Sequence, residues 1–235
     1  MSLRRVRDIE YRLLPGGARK TTDIVIERDG TITVRPPLSF TAEQADEVVD
    51  HKRMWIYRNL ADWKDMNASA VTRDWVDGES FLYLGRTYRL SLVNQPPKDL
   101  QIVNGRFCLS RQIVEQGGVD AARGAFIRYY TDKGTQRLGE RVPAIAEKVG
   151  VSFDTVKVLD TGYRWASCGK NRNLQFHWKS MMAPARVVDY LVVHELCHLH
   201  FRNHDDAFWN EVDKVMPDYQ TYKSWLKKHG ASLDV

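Results

Sequence analysis

The sequence predicts an α+β fold in which a β-rich N-terminal half packs on a C-terminal half organised around one helix with paired histidines. Short alternating apolar runs, separated by turn residues, dominate the first 110 residues and are typical of antiparallel strands. From residue 111 onward, apolar residues recur mainly at helical spacing, with two short strands between the helices. We therefore expect two regions, residues 1–110 and 111–235, which could also form one integrated domain.

The first elements are a β-hairpin and a helix. Asp29-Gly30 separates two alternating runs, and such a pair favours a type I′ turn because both turn residues need positive φ. Pro36-Pro37 ends this ladder, since proline cannot donate to it. Thr41 then begins a helix with Gln44 as its capping-box partner, and apolar residues continue at helical spacing to Leu60.

Two more β segments and a long helix complete the middle of the chain. We expect strands within residues 80–93 and 102–109, each with a glycine at its turn. A helical pattern then covers residues 119–149. Gly134 and Pro143 lie inside this pattern and predict a break or kink.

The last third contains two predicted strands and three predicted helices. The strands cover residues 155–159 and 174–178, and the helices run from Pro184 to about residue 199, from Asp205 or Asp206 to about Met216, and over about residues 219–229.

Composition excludes several classes of protein. The chain has 235 residues, of which 43% are hydrophobic and 28% charged, so it can bury a sizeable core and is neither disordered nor fibrous. No apolar run approaches the roughly 18–20 residues of a membrane span, so we expect no membrane partner. The formal net charge of +5 allows an anionic partner but does not require one.

The cysteines and the N-terminus predict a cytoplasmic location. Cys108, Cys168 and Cys197 form no CxxC pair, so the pattern does not indicate a disulfide framework. The basic residues near the start are not followed by the apolar segment that a secretory signal requires.

Residues 194–198 carry the clearest chemical signal, because they read His-Glu-Leu-Cys-His. Histidines four apart share one face of a helix, so His194 and His198 can reach the same ion. Glu195 projects from the neighbouring face, where it could act as general base on a metal-activated water. As an ordinary helix residue, it would instead be solvated or ion-paired.

A third ligand is needed for a site that keeps one open position, and His204 is the best candidate. A straight helix would carry His204 about 9 Å along its axis and away from His194, so the helix must end between the ligands. We predict the chain reversal at Arg202-Asn203, because asparagine tolerates the left-handed region. His200 is a weaker rival that points away from His198, and Cys197 is best interpreted as a small buried residue.

A combination of motifs resembles one known family. The motifs are Arg164-Trp165-Ala166-Ser167-Cys168, Ala183-Pro184, residues 188–198, Asn203-His204, Phe208-Trp209 and residues 216–219, together with upstream matches back to about residue 11. In this combination the chain resembles the YgjP-like metallopeptidase family, which is related to the SprT-like and WLM groups of zincins. The resemblance implies that residues 111–235 form a zincin-like metallopeptidase domain with an HExxH helix. It also implies that His194, His198 and His204 bind zinc and that Glu195 is catalytic.

Four further residues are candidates for contacts with substrate or with an oxyanion. Arg164 could hold a carboxylate or phosphate, or could tie its strand to the metal-binding helix. His177, which replaces the family's usual asparagine, could line the cleft or be a half-exposed strand residue. Tyr219 and Tyr222 could supply an oxyanion-stabilising hydroxyl, although tyrosines more often serve packing. Asp189 is expected to face solvent or to support a ligand histidine.

The leading hypothesis is a zinc-dependent hydrolase, in particular a metallopeptidase acting on a peptide or protein substrate. A first alternative is a metal-dependent nucleoside triphosphate pyrophosphohydrolase, in which Arg164 and the loop Lys170-Asn171-Arg172 would hold the nucleotide. A second is a nucleic-acid-associated module that acts on DNA-bound protein, although the sequence has no zinc-ribbon or RNP pattern. A purely structural zinc site is disfavoured, because such a site needs a fourth protein ligand and no base.

Overall fold

Two compact units make up the chain, Met1–Ser69 and Ala70–Val235. The computed structural model describes residues 2–26, 30–67, 73–162 and 164–235. Strands and helices alternate through both units, which confirms the predicted α+β class. The boundary predicted at residue 110 lies inside the second unit, and the sheet formed by residues 80–110 belongs to that unit.

The first unit contains a four-stranded sheet and two helices. Its elements are β1 (Ser2–Val6), β2 (Ile9–Leu13), β3 (Asp23–Ile26), β4 (Ile32–Arg35), α1 (Ala42–His51) and α2 (Arg53–Asn67). The strand order is β1-β2-β4-β3, with β2 and β4 parallel. β3 and β4 form the predicted hairpin, although its turn residue Asp29 lies outside the described residues. Thr41 and Gln44 form the predicted capping box, and Val34, Val49 and Ile56 are fully buried in this unit's core.

The second unit begins with another four-stranded sheet. It consists of β5 (Ser80–Tyr83), β6 (Arg86–Val93), β7 (Leu100–Val103) and β8 (Arg106–Ser110), in the order β5-β6-β8-β7. β5–β6 and β7–β8 are antiparallel hairpins, as predicted, and β6 runs parallel to β8. The β7–β8 turn has φ of 48° at Asn104 and 72° at Gly105, the two positive values that a type I′ turn requires.

The long helix α3 (Arg111–Val149) corrects one prediction. Its backbone leaves helical geometry only at Gly118, where φ is 63°, and not at Gly134 or Pro143. Gly134 serves close packing, since a β-carbon there would lie 3.0 Å from the Cγ of Met181. Pro143 lies within continuous helix, which therefore tolerates the one backbone hydrogen bond that proline cannot make.

A three-stranded sheet and three helices complete the second unit. They are β9 (Thr155–Leu159), β10 (Ala166–Cys168), β11 (Asn173–His177), α4 (Ala185–Cys197), α5 (Asp206–Val215) and α6 (Tyr219–His229). The strand order is β10-β11-β9, with β10 at one edge. α4 is the central helix of this region, because ten of its thirteen residues are buried. Among the described residues, we find no helix with the length and apolar character needed to cross a membrane.

Candidate metal centre

Three imidazoles converge at the end of α4. His194 lies in the last turn of the helix, His198 immediately follows it, and His204 lies in the exposed loop before α5. One potential ligand atom from each lies within 4.8 Å of the other two. The Nε2 atoms of His194 and His204 are 2.9 Å apart. The prediction that these three residues come together therefore agrees with the geometry.

The hydrogen bonds of the rings indicate which nitrogens face the centre. The Nδ1 of His198 lies 3.0 Å from the carbonyl oxygen of Phe201, so in the neutral ring Nδ1–H donates and Nε2 keeps its lone pair. The Nδ1 of His194 is buried and has no hydrogen-bond partner among the described residues. The three Nε2 atoms are thus the natural donors to a shared ion.

The chain reversal that delivers His204 begins with a turn directly after α4 and includes the predicted residues Arg202 and Asn203. α4 ends at Cys197, and the N–H of Phe201 donates to the carbonyl oxygen of Cys197 at 2.9 Å, which folds the chain back directly after the helix. The chain bends at Arg202 and Asn203, as predicted, although neither residue has a positive φ. Asp205 then caps α5 by accepting a hydrogen bond from the N–H of Phe208 at 3.0 Å. His204 is held between these two local structures.

Two aromatic rings, those of Phe208 and Trp209, pack against the histidine cluster. The fully buried Phe208 contacts all three imidazoles, with ring centroids 4.5–4.9 Å apart. Trp209 stacks on His204 at 5.7 Å. Burial beside these aromatic side chains lowers the pKa of each imidazole, to about 3 for His194. The rings are therefore neutral near pH 7, which is the state that binds a metal.

Glu195 is buried beside the cluster on the same helix. Burial raises the pKa of its carboxyl to about 8, while the charge of Arg164 and a hydrogen bond from the backbone of Cys168 act in the opposite direction. Cys168 ends the edge strand β10, so this strand provides one wall of the site. A carboxyl with this pKa can exchange a proton near neutral pH.

These residues fit a divalent transition metal. Three imidazoles with lowered pKa values bring one nitrogen each to a common point, and imidazole is a preferred ligand of zinc and related ions. In the described part of the chain, no other group of three histidine, cysteine or acidic side chains could hold a metal. Cys197 is buried, as expected, and His200 bonds instead through its Nε2 to the carbonyl oxygen of Val149 at 3.2 Å.

The remaining candidates occupy different surroundings. Arg164 is exposed and close enough to Glu195 for its charge to act on that carboxyl. His177 is buried rather than half-exposed, with Nδ1 accepting from the N–H of Lys179 and Nε2 3.2 Å from Asp160.

The two tyrosines lie on α6 in different environments. Tyr219 is buried, stacks on Trp209 at 5.4 Å, and its hydroxyl accepts a hydrogen bond from Gln220. The hydroxyl of Tyr222 donates to Asp218 and accepts from Arg186. The ring of Trp209 therefore lies between Tyr219 and His204, whereas Tyr222 belongs to a network of charged groups.

Sequence reasoning missed the ion pair that anchors α4. Asp189 is buried and accepts two hydrogen bonds of 2.8 Å from the guanidinium of Arg141 on α3. It neither faces solvent nor supports a ligand histidine, so both expectations for it are wrong. A lone aspartate among apolar residues of α4 signals a buried partner, but nothing in the pattern identifies an arginine 48 positions away.

Comparison with known proteins gives two findings. The model of a protein family described as YgjP-like, metallopeptidase domain, matches residues 20–229. The crystal structure of the metallopeptidase zymogen of Pyrococcus abyssi abylysin is similar, with a TM-score of 0.36 and 19% identity over 38% of this chain and 90% of that chain. No curated protein matches the chain.

Proposed function

The chain belongs to the YgjP-like family of metallopeptidase domains, and on that premise we propose that it is a zinc peptidase with Glu195 as general base. The family makes it a metal-dependent peptidase with a peptide or protein substrate. The observation that carries the finer proposal is the convergence of three neutral imidazoles within 4.8 Å, next to a buried carboxyl on the same helix.

His194, His198 and His204 would hold the metal through their Nε2 atoms. A zinc ion bound there would act as a Lewis acid that polarises water and the scissile carbonyl. The carbonyl of Phe201 fixes the ring of His198, and Phe208 limits the movement of all three rings. Three protein ligands leave a coordination position open, as a catalytic centre requires.

Glu195 would move the proton. Its carboxylate would take a proton from the attacking water and deliver it to the leaving amine. The pKa of about 8 suits both directions of transfer near neutral pH. The backbone of Cys168 and the charge of Arg164 favour the ionised form, which is the form that accepts the proton. We propose Arg164 as a positioning residue for Glu195 in this sense.

The other candidates receive unequal support. Both ring nitrogens of His177 have partners, which favours a structural role at the end of β11. Tyr219 lies close to the cluster through Trp209 and is the stronger of the two oxyanion candidates. The family match gives no support to the nucleoside triphosphate or nucleic-acid alternatives.

The test is the variant Glu195→Gln, loaded with zinc and assayed on unstructured peptides and casein. We expect cleavage to fall by about 10²–10⁴-fold, because general acid–base catalysis contributes that much, while bound zinc stays at the wild-type level. The matched control is Glu140→Gln, which removes the same charge from an exposed position on α3 and should retain activity. Wild-type cleavage by Glu195→Gln would refute the mechanism.

A further inference from the structure

One exposed cation, Lys223, lies near the histidine cluster. The Nζ of Lys223 on α6 lies 3.8 Å from the ring centroid of Trp209, and that ring stacks on His204. The charge of Lys223 contributes to the lowered pKa of both His194 and His204, which agrees with this position. Lys223 therefore presents a positive charge at the His204 side of the centre.

A second cation lies in the loop that carries His204. Arg202 is exposed in this loop, two residues before His204. Its charge contributes to the lowered pKa of His198 and partly opposes the burial that raises the pKa of the Cys168 thiol. Lys223 and Arg202 thus belong to different elements, α6 and the loop between α4 and α5.

Asp205 and Asp218, which precede α5 and α6, are engaged with other groups. Asp205 caps α5, and Asp218 accepts from Tyr222 and pairs with Arg186 at 3.7 Å. Within residues 73–162 and 164–235, neither Lys223 nor Arg202 forms an ion pair with an acidic side chain, Asp206 of the first turn of α5 included. Within these residues neither charge is therefore neutralised by an acidic side chain, although Lys223 also lies over the ring of Trp209.

We propose that Lys223 and Arg202 select peptide substrates that carry a carboxylate close to the scissile bond. This inference rests on the proposed peptidase function and names the substrate class of that site. An exposed cation pairs weakly in water, but complementary charge beside a binding site discriminates between ligands and speeds their association. Their positions favour acidic side chains on the peptide, and a terminal carboxylate offers the same chemistry.

The test measures kcat/KM of the zinc-loaded protein on matched peptides. Each pair differs only by Glu or Gln next to the scissile bond, with acetylated and amidated termini, and a second set has a free C-terminal carboxylate. We expect the Glu peptide to be cleaved about tenfold faster, and the ratio to fall at 0.5 M salt through screening. A preference in the capped set assigns the carboxylate to side chains. A preference only in the uncapped set assigns it to the C-terminus, and both results support the proposal.

Variants then identify the responsible residues. Lys223→Gln and Arg202→Gln should each lower the Glu-to-Gln ratio, and Lys223→Glu should shift the preference toward a Lys peptide. The control Lys227→Gln removes the same charge from the exposed far end of α6 and should leave the ratio unchanged. A structural role for Lys223 would instead lower cleavage of all peptides equally.

These experiments distinguish failure of this inference from failure of the proposed peptidase function. Equal cleavage of Glu and Gln peptides by the wild type would overturn the inference and leave the peptidase function intact. A preference that survives the double substitution would also overturn the role of these two residues. Cleavage of no peptide by the zinc-loaded protein, with or without hydrolysis of nucleoside triphosphates, would overturn the peptidase function and this inference with it.

Discussion

The two histidines at the end of α4 and the histidine in the following loop, which we propose as metal ligands, reach the same point by different means. His194 is fixed by a buried helix that is packed on nearly every side. His204 lies in an exposed segment between the reversal at Phe201 and the cap at Asp205. Helical periodicity alone brings the first two imidazoles together. The third depends on two local hydrogen-bonded structures, so geometry in this half of the site is the easier to disturb.

The largest difference in stability is expected between two alanine variants, one at a histidine that follows α4 directly and one at the histidine in the loop. His198→Ala and His204→Ala should both reduce peptide cleavage by more than about 100-fold, because loss of even an outer-shell partner costs 10–100-fold. Their effects on the metal-free fold should differ. We expect a loss of about 1–3 kcal/mol in unfolding free energy for His198→Ala, which empties space beside Phe208. For the exposed His204 we expect about 0.5 kcal/mol.

Urea unfolding of the metal-free variants and zinc stoichiometry measure these effects. Equal destabilisation by the two substitutions would contradict the contrast between helix and loop. Retention of one zinc per chain at micromolar concentration by His204→Ala would contradict its role as a ligand.

The ion pair behind α4 provides the next effect. Asp189→Asn should lower the unfolding free energy by about 2 kcal/mol, less than a fully buried pair would cost, because the Arg141 side chain is 38% exposed. The control Asp213→Asn, at an exposed position on α5, should change it by less than about 0.5 kcal/mol. Thermal or urea unfolding decides this, and equal effects of the two substitutions would show that the pair does not anchor α4.

The partly buried His194 should make the metal-free fold sensitive to acid. The unfolded chain binds a proton at its ordinary pKa of 6.5, whereas the folded imidazole binds it only at about 3. Its neutral form therefore contributes stability that is fully present above pH 6.5 and is lost as the pH falls toward 3. Glu195 acts oppositely between pH 4.5 and 8, because its pKa is raised in the folded state.

The experiment therefore uses the Glu195→Gln background. Between pH 7.5 and 5, His194 should contribute a loss of up to about 2 kcal/mol in unfolding free energy. The added substitution His194→Gln should remove most of that loss, leaving the smaller contributions of the other two ligands. An unchanged pH dependence would mean that His194 is not held neutral by burial.

The smallest effect is expected at the cap of α5. Asp205→Ala removes the hydrogen bond to the N–H of Phe208 and should cost about 1 kcal/mol. It should also weaken zinc binding several-fold, since His204 directly precedes the cap. Asp206→Ala removes the same charge without a capping bond and serves as the control in a zinc titration. Equal effects of both variants on zinc affinity would show that the cap does not position His204.

Much of this fold follows from local patterns, and the exceptions have physical causes. The capping box at Thr41 and the hairpin at Asn104-Gly105 are local, so the sequence predicts them correctly. The kink in α3 occurs at Gly118 and not at Gly134. Gly134 instead allows close packing against Met181, and a sequence pattern does not show which residue will pack against a glycine.

In the candidate site too, local features are predicted from the sequence and tertiary features are not. The HExxH spacing predicts that His194, His198 and the neighbouring Glu195 lie close together, because the α-helix fixes their relative positions. The bend at Arg202-Asn203 is also predicted, since a straight helix could not bring back His204, but it forms without a positive φ. The cations at Lys223 and Arg202 are set by tertiary packing and carry no sequence signal of their own.

X-ray absorption spectroscopy at the zinc edge tests the central claim most directly. Wild-type protein loaded with one equivalent of zinc should show three imidazole nitrogens at about 2.0–2.1 Å and one further light-atom ligand. The spectrum of His204→Ala should lose one imidazole, whereas that of His200→Ala should match the wild type. A wild-type centre with two imidazoles, or one with a sulfur ligand at about 2.3 Å, would contradict the three-histidine site.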